Sequence, residues 1–242
     1  MAINVNTVYQ TVLYILNKEQ RGYMTPMEFN SIGTQVQLEI FEKYFDDLNQ
    51  QLRVPQADTD YADRVENIDE KIAIFKTFGN ANYVTSLGTG SYFILPTTDI
   101  YGVNVSFYRL GSVVFNSDTL VQRLDRTDFY RAEKSQLTKP TTSLPAYLYE
   151  NNKLFIKPTT IKDNIQVDYV RKPNDINWGF TVGTLGQYIY QENTSVQFDL
   201  HESEQTEVIL NILIYAGIII RDPQVVQAAV QQVQADEVNS KS

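Results

Sequence analysis

The stretch YENNKLFIKP, residues 149–158, has the pattern of a β-hairpin. Its two polar asparagines, Asn151 and Asn152, separate the short run PAYLYE from the run KLFIKP, and both runs alternate as strands do. A further run of this kind, IQVDYVRKP, begins seven residues later. The stretch contains no recognisable nucleophile, metal site or phosphate-binding loop. The most regular part of the chain therefore predicts a fold but no chemistry.

Similar strands are predicted from residue 79 to about residue 200. This segment is rich in Gly, Thr, Tyr and Asn, and turn residues bound its short runs of period two. One short helix is predicted within it, at residues 126–137. The spacing of the runs favours an antiparallel sandwich or a barrel-like sheet. The strand candidates are SYFILP, GVNVSFYRL, SVVF, AYLYE, KLFIKP and IQVDYV.

The N-terminal part of the chain predicts helices. Apolar residues at helical spacing indicate a first helix, with Asn6 or Thr7 as its N-cap. The start of the second helix has a stronger signal, because Thr25 and Glu28 form a capping box around Pro26. The predicted helices cover residues 6–20, 26–52 and 61–75.

A further helix is predicted near the C-terminus. Residues 208–220 are apolar almost all round, and a helix of that kind is buried on more than one side. Asp199 and Glu202 are its predicted capping pair, and Pro223 follows its end. The predicted fold class is α+β. A helical bundle, residues 1–78 and 201–242, carries an inserted antiparallel β sandwich or barrel-like domain, residues 79–200.

Composition indicates a folded chain. Of its 242 residues 43% are apolar, enough for a sizeable core, and the absence of cysteine excludes disulfides and cysteine–zinc sites. The N-terminus lacks a secretory pattern, and the longest apolar run, 13 residues, is too short for a membrane span. The net charge of −9, with scattered Lys and Arg, disfavours sequence-specific binding to nucleic acid. We therefore expect a protein made in the cytoplasm, with no membrane partner.

The sequence offers no constellation of catalytic residues. His201 is the only histidine, and it stands among acidic residues at a predicted helix start, where a solvated polar residue is ordinary. The run LGTGSY, residues 87–92, has two glycines of a nucleotide-binding fingerprint but lacks the third and precedes a strand. We expect no enzyme activity, no catalytic or metal-binding residue and no cofactor.

The 16 tyrosines admit two interpretations. They can form a face that stacks on sugars, or they can serve strands and subunit interfaces, where tyrosine is enriched. The second interpretation, in which tyrosines serve strands and subunit interfaces, is favoured. The apolar helix at residues 208–220 also indicates a subunit interface. The candidate subunit-interface residues are Tyr44, Ile212, Tyr215 and Ile219.

Three segments resemble proteins of phage necks. Residues 5–49, VNTVYQTVLYILNKEQRGYMTPMEFNSIGTQVQLEIFEKYFDDLN, are similar to the N-terminus of neck-ring proteins of crAss-like and related short-tailed phages. Residues 144–178, LPAYLYENNKLFIKPTTIKDNIQVDYVRKPNDINW, look like the β part of head-to-tail adaptor proteins. The helix start DLHESEQTEV, residues 199–208, resembles the LPESE-type helix starts of those proteins.

The resemblance implies a structural protein of the virion neck. Such a protein forms a ring of identical subunits, usually twelve to match the portal, between the portal and the tail. It closes and extends the DNA channel, so DNA only passes through the lumen, and it presents a platform to other neck or tail proteins. In these families the C-terminal segment often docks on the portal. The residues expected to dock are Val225, Val226, Val230 and Val233.

Two other functions remain as alternatives. A tail-associated module that recognises glycans would use the tyrosines, but such modules more often form trimers with β-rich repeats. A glycan hydrolase would need a pair of carboxylates at a defined separation, and any pairing among 29 acidic residues is arbitrary. A ring with a central hole in electron micrographs would support the adaptor alone.

Overall fold

The computed structural model describes residues 2–18, 23–51, 64–85, 90–98, 104, 106–220, 230–232 and 234. These residues combine helices with several antiparallel sheets, so the chain is an α+β protein. The chain divides into two compact units. The helical unit comprises Met1–Ile74 and Pro173–Ser242, and the β unit comprises Phe75–Lys172.

The second boundary differs from the predicted one at residue 200, because the β unit already ends at Lys172. Two contacts assign the following residues to the helical unit. The ring of Trp178 packs on that of Tyr9 with centroids 4.5 Å apart. Strand β13, Phe198–His201, pairs with the N-terminal strand β1, Ala2–Ile3.

The helical unit is built around helix α5, Gln205–Ile220. This helix is apolar almost all round, and it packs against α1, Val5–Lys18, and α2, Pro26–Gln51. A 3-10 helix, Glu202–Glu204, leads directly into it, and a second one lies at Glu192–Thr194. The remaining elements are α3 (Arg64–Ala73), β11 (Phe180–Val182) and β12 (Tyr188–Tyr190).

The apolar stripes of α2 and α5 lie inside a single chain. Along α2, the residues Phe29, Val36 and Ile40 are fully buried. Along α5, Val208 and Ile212 are buried as well. These parts of the two apolar stripes are therefore buried within the helical unit itself, where α1 and α2 both pack on α5.

The cap of α1 differs from the predicted Asn6 or Thr7. The side-chain oxygen of Asn4 accepts hydrogen bonds from the backbone N–H groups of Asn6 and Thr7, at 2.9 and 3.0 Å. Asn4 is thus the N-cap. The predicted caps, Asn6 and Thr7, lie in the first turn of the helix, and their free backbone N–H groups are the ones that Asn4 binds.

The capping box of α2 is confirmed. Thr25 donates its backbone N–H to the Glu28 carboxylate at 2.9 Å, and the Glu28 N–H donates to the Thr25 hydroxyl at 3.3 Å. These bonds from Thr25 lower the pKa of Glu28, because they stabilise its ionised form. Pro26 occupies the first helical position, where no N–H is needed.

The start of α5 is not capped by the predicted pair Asp199 and Glu202. Asp199 lies in β13, and its carboxylate accepts hydrogen bonds from the backbone and side chain of Asn174 at 3.0 and 3.2 Å. The 3-10 helix before α5 is capped by His201 instead, whose Nδ1 accepts from the Ser203 N–H at 3.2 Å. The single histidine therefore has a structural role.

The described residues of the β unit form two sheets and one helix. The four-stranded sheet has the order β2-β10-β5-β6, and the five-stranded sheet has the order β3-β4-β9-β8-β7. Helix α4 packs on β8. The elements are β2 (Lys76–Asn80), β3 (Asn82–Val84), β4 (Tyr92–Ile94), β5 (Phe107–Phe115), β6 (Thr119–Leu120), β7 (Gln122–Arg123), α4 (Arg126–Lys134), β8 (Ala146–Glu150), β9 (Lys153–Lys157) and β10 (Ile165–Arg171).

The two sheets of the β unit share one core and are joined along both sides. Ala81 links β2 to β3, and its N–H donates to the Ile165 carbonyl at 2.9 Å. Val121 links β6 to β7 in the same way, with its N–H on the Val113 carbonyl at 2.8 Å. On one side the continuous segment β2–β3 therefore provides an edge strand to each sheet, and on the other side the segment β6–β7 does the same. Buried apolar residues of both sheets form a single cluster between them, including Phe93, Val113, Tyr147, Leu154 and Val167.

The quoted hairpin forms as predicted. Strands β8 and β9 are antiparallel, with Glu150 paired to Lys153 across the turn. Asn151 and Asn152 have φ of 50° and 55°, the left-handed pair that a type I′ turn requires.

The second half of the predicted strand GVNVSFYRL, the residues FYRL, and the predicted strand SVVF form one continuous strand, β5. Gly111 lies within this strand, at a point where a Cβ atom would be 2.9 Å from the Asp168 carbonyl oxygen. A glycine at this position therefore allows β5 and β10 to approach each other closely. Strand β5 continues through Gly111, where the sequence analysis separated two strands.

The helices of the described part of the chain include none that is both long and apolar enough to cross a membrane.

Candidate functional site

The most distinctive surface of the helical unit is a two-stranded hairpin, which we call the aromatic hairpin (residues 178–191). Within the part of the chain that the structure describes, strands β11 and β12 pair only with each other, with Phe180 opposite Tyr190 and Val182 opposite Tyr188. A two-stranded hairpin on its own is only marginally stable in water. Contacts at its base must therefore hold it in place.

Aromatic rings connect the base of the hairpin to the core of the helical unit. Trp178, which is buried, lies against Tyr9 with centroids 4.5 Å apart. On its hairpin side Trp178 stacks on Phe180 at 6.0 Å and contacts Tyr190 at 5.5 Å. The ladder ends at Tyr188, whose ring is 5.0 Å from Phe180. Such ring pairs add to the stability that burial alone supplies.

Hydrogen bonds fix the same base. The indole N–H of Trp178 donates to the Asn6 side chain at 3.0 Å, and its backbone N–H donates to the Asn30 side chain at 2.7 Å. Gly179 is required there, because a Cβ atom would lie 2.1 Å from Thr194 Oγ1 and 2.9 Å from the Gln191 carbonyl oxygen. The base of the hairpin is therefore rigidly attached.

The outer part of the hairpin is apolar, exposed and uncharged. Leu185 at the tip is 90% exposed and Val182 is 63% exposed, while Tyr188 and Ile189 are also exposed. No Asp, Glu, Lys or Arg occurs from residue 176 to residue 191, in a chain of which 20% is charged. Aromatic residues and a lack of charge are the composition of interface cores.

Three backbone donors of the hairpin tip are bonded within the turn. The Gly183 N–H donates to the Gln187 carbonyl at 2.8 Å, and the Gly186 N–H donates to the Gly183 carbonyl at 3.0 Å. The Leu185 N–H donates to the Gln187 side chain at 3.1 Å. The tip can therefore enter an apolar environment without burying these amides unpaired.

The sequence interpretation missed this hairpin. The run GFTVGTLGQYIYQ has two β-type triplets, Phe180–Val182 and Tyr188–Tyr190, around a glycine-containing turn, which is a hairpin signal. The strands are only three residues long, so alternation is hard to recognise in either of them. The absence of charge over residues 176–191 is the signal that singles the segment out.

No protein-family model matches this chain, and no curated protein has a sequence that matches it significantly.

Two of the predicted interface residues lie in the interior. Tyr44 is 5% exposed and Ile212 is fully buried within one chain. Their side chains therefore have no free surface for a second subunit in this conformation. Tyr215 is half-buried and donates a short hydrogen bond to the Glu39 carboxylate, which raises the pKa of the Tyr215 hydroxyl. The side chain of Ile219 lies outside the described residues.

The predicted docking tail is described only in part. Val225, Val226 and Val233 lie outside the described residues. Val230 is helical and half-buried, within the described residues 230–232.

A cluster of charged residues joins α2 to α5, and α3 to the 3-10 helix before α5. Lys43 pairs with Glu207 at 3.0 Å, and Lys71 pairs with Glu204 at 2.5 Å. Burial raises the pKa of Glu207, and the nearby Glu204 carboxylate raises it further. Tyr44 lies under Lys71, with the ammonium 5.8 Å from the ring centroid. Its buried hydroxyl has no hydrogen-bond partner in the described part of the chain.

This cluster has the properties of a structural ion-pair network. Its carboxylates are both neutralised by lysines, and no imidazole lies among the residues named. Among the described residues no group of three or more His, Cys, Asp or Glu side chains is arranged to hold a metal ion. The cluster therefore ties helices together.

The β unit contains an open cavity of about 410 Å³ between α4 and the strands β8 and β9. Its apolar lining residues include Phe129, Leu148 and Ile156, which are buried, and Tyr130, which is exposed. Arg126, Glu150 and Lys157 complete much of its wall. Its volume lies in the range of sites that bind small molecules or side chains.

Every charged residue of this cavity wall has a partner within the unit. Arg126 pairs with Glu150 at 3.6 Å, and Lys157 pairs with Glu133 of α4 at 2.7 Å. The wall itself carries two positive side chains and one negative side chain, and Glu133, the partner of Lys157, lies beside the wall. An uncharged occupant fits such a wall better than an ion does.

Proposed function

We propose that this chain is a virion structural protein, a head-to-tail adaptor that forms a ring between the portal and the tail of a short-tailed phage. The residues of the N-terminal helices, of the β8–β9–β10 segment and of the α5 start carry the resemblance to such proteins. The ring extends the DNA channel and offers a platform for tail proteins. The protein acts by assembly and has no catalytic activity.

The aromatic hairpin is the observation that best supports an assembly function. It presents exposed apolar side chains on a rigid, uncharged element, and large apolar surfaces of that kind mark sites of protein association. Two copies of a chain with a net charge of −9 repel each other, so a contact between copies favours a segment without acidic residues. The hairpin is such a segment.

The proposed architecture follows the chain order. The helices from both chain ends form a bundle, and the β unit is a barrel-like domain inserted between them. In the ring the acidic surface keeps the lumen from binding DNA, because repulsion between carboxylates and phosphates leaves the duplex free to slide. Duplex DNA therefore passes through without sequence-specific contacts.

The proposed portal contact uses the C-terminal segment. The sequence spacing of Val226, Val230 and Val233 predicts a narrow apolar stripe, with Val225 next to it in sequence, and a stripe of this kind binds in a groove that a partner supplies. The portal is the proposed partner. Removal of residues 224–242 should abolish attachment to portal-containing heads.

Electron microscopy of the purified protein tests the proposal. The full chain should form rings with a central hole, either alone or after it is mixed with portal-containing heads. The truncated chain 1–223 should keep its fold but fail to join those heads. A protein that stays monomeric under both conditions, or that decorates the outside of the head, would contradict the adaptor function.

A further inference from the structure

We propose that the aromatic hairpin of one copy inserts its tip, Leu185, into the cavity between α4 and the strands β8 and β9 of the next copy. The inference rests on the proposed ring and names the two surfaces that join its subunits. A ring needs a head-to-tail contact between two different surfaces of the same chain. The hairpin tip and the cavity are two such surfaces.

The hairpin tip presents one apolar side chain that is suited to insertion into a cavity. Leu185 is 90% exposed and stands between Thr184 and Gly186, so a single apolar side chain is presented on a narrow turn. Gly186 has a φ of 80°, which glycine adopts without strain. The N–H groups of Gly183, Leu185 and Gly186 are bonded within the turn, so these hydrogen bonds are kept when water leaves.

The cavity has the matching properties. Phe129, Leu148 and Ile156 give it an apolar lining, and its volume of about 410 Å³ accommodates more than one side chain. Its arginine and lysine are each paired with a glutamate, so the wall does not attract an anion. The hairpin has no charged residue, and such an occupant leaves those ion pairs intact.

The distribution of charge also favours a second copy of this chain, over an unrelated partner, as the protein that the hairpin contacts. A basic partner would bind where acidic residues are dense, whereas the hairpin contains none over residues 176–191. A partner as acidic as this chain must meet it on neutral surfaces. The cavity, whose charged side chains are paired, and the uncharged hairpin both satisfy that condition, and both belong to this chain.

Engineered cysteines provide a direct test, because the chain has no cysteine of its own. The double variant L185C and Y130C places one thiol on the hairpin tip and one on the cavity wall. Under oxidation, or with a short bis-maleimide, it should give a ladder of covalent oligomers on a denaturing gel. The single variant L185C should give no species larger than a dimer. The matched control is L185C with L137C, since Leu137 is 98% exposed and does not line the cavity.

A second measurement uses Leu185→Asp in the full chain. The change should weaken self-association at least about tenfold in mass photometry, because it removes one large apolar contact and adds a charge. Leu137→Asp introduces the same charge at an equally exposed leucine and should leave association unchanged. Emission of Trp178, the only tryptophan, should be the same in both variants and in the parent, which shows that the hairpin base stays folded.

The outcomes separate the inference from the proposed function. Rings that form normally with Leu185→Asp, or a double-cysteine variant that cross-links no better than its control, would overturn the hairpin-to-cavity contact while the adaptor ring stands. A cross-link within one chain, seen as a monomer of altered mobility, would overturn it as well. If the parent protein never associates, both the contact and the ring are wrong.

Discussion

Asn151 and Asn152 are the residues on which the β8–β9 hairpin turns. Both have φ near 50°, a region that costs most residues with a side chain roughly 1–2 kcal/mol, although asparagine tolerates it better. The Asn152 side chain also accepts a hydrogen bond from the Tyr149 hydroxyl at 2.9 Å. Local chemistry of this kind can be read from the sequence alone.

Replacement of Asn152 tests the turn. Asn152→Ala should lower the free energy of unfolding by about 1 kcal/mol, because alanine resists the left-handed conformation. Asn152→Gly is the matched control and should stay within about 0.5 kcal/mol of the parent, since glycine adopts that conformation freely while losing only an exposed hydrogen bond. Urea denaturation followed by circular dichroism measures both. Equal losses in the two variants would show that the side-chain bond matters and the backbone does not.

Gly179 is the residue that allows the aromatic hairpin to join the helical unit. In Gly179→Ala the new Cβ would meet both Thr194 Oγ1 and the Gln191 carbonyl oxygen, and the backbone oxygen cannot rotate away. We expect a loss of roughly 1–3 kcal/mol, the usual range for overpacking. A red shift of Trp178 emission should accompany it. Thr184→Ala, at the exposed tip, should change neither quantity, and an unshifted spectrum for Gly179→Ala would contradict the assigned geometry.

At the scale of elements, the ion-pair network of α2, α3, α5 and the 3-10 helix before α5 makes stability depend on pH. Burial raises the pKa of Glu207 above its ordinary value of 4.5, so the folded state holds a proton that the unfolded state releases. The corresponding stabilisation is complete below the ordinary pKa. It is lost as the pH rises through the raised pKa of the folded state.

Glu207→Gln removes that dependence. Because glutamine does not ionise, the variant should gain stability relative to the parent as the pH rises from about 4 to about 7. Near pH 4 the two proteins should differ least. Urea denaturation across this range is the measurement, and a variant that loses stability toward pH 7 would contradict the assignment.

Some elements could be predicted from the sequence and others could not, for physical reasons. The capping box at Thr25 and Glu28 and the Asn151–Asn152 turn depend on neighbours in sequence, so their patterns were sufficient. The assignment of residues 173–200 to the helical unit depends on contacts of Trp178 with Tyr9, Asn6 and Asn30, which are far away in the chain. The interface residues were sought where the sequence is most apolar. In the helical unit that surface is used for the core, and several of the exposed apolar residues lie on a short hairpin.

At the scale of the whole molecule, the chain folds as two units whose boundary follows strand pairing. The two ends of the β unit meet, since Lys76 pairs with Val170 and the Arg171 N–H donates to the Phe75 carbonyl at 2.9 Å. A unit with adjacent ends and its own apolar core is suited to folding alone.

Two fragments test that division. The fragment 75–172 should unfold cooperatively and give dispersed amide resonances, because it keeps all the strands of both sheets. The fragment 79–200, cut at the boundaries expected from sequence, loses most of β2 and exposes the aromatic hairpin without its base. It should be less stable or aggregate. A more stable 79–200 would contradict the boundary at Lys172.

The location of the chain in the virion is the most direct test of its proposed role. Cryo-electron microscopy of phage particles that contain it should show the chain as a closed ring at the portal vertex, with the symmetry of the portal and with DNA or an open channel on its axis. The hairpin of each subunit should contact the β unit of the next. Density for the chain in the capsid shell or in a tail fibre, or its absence from the particle, would contradict the adaptor function.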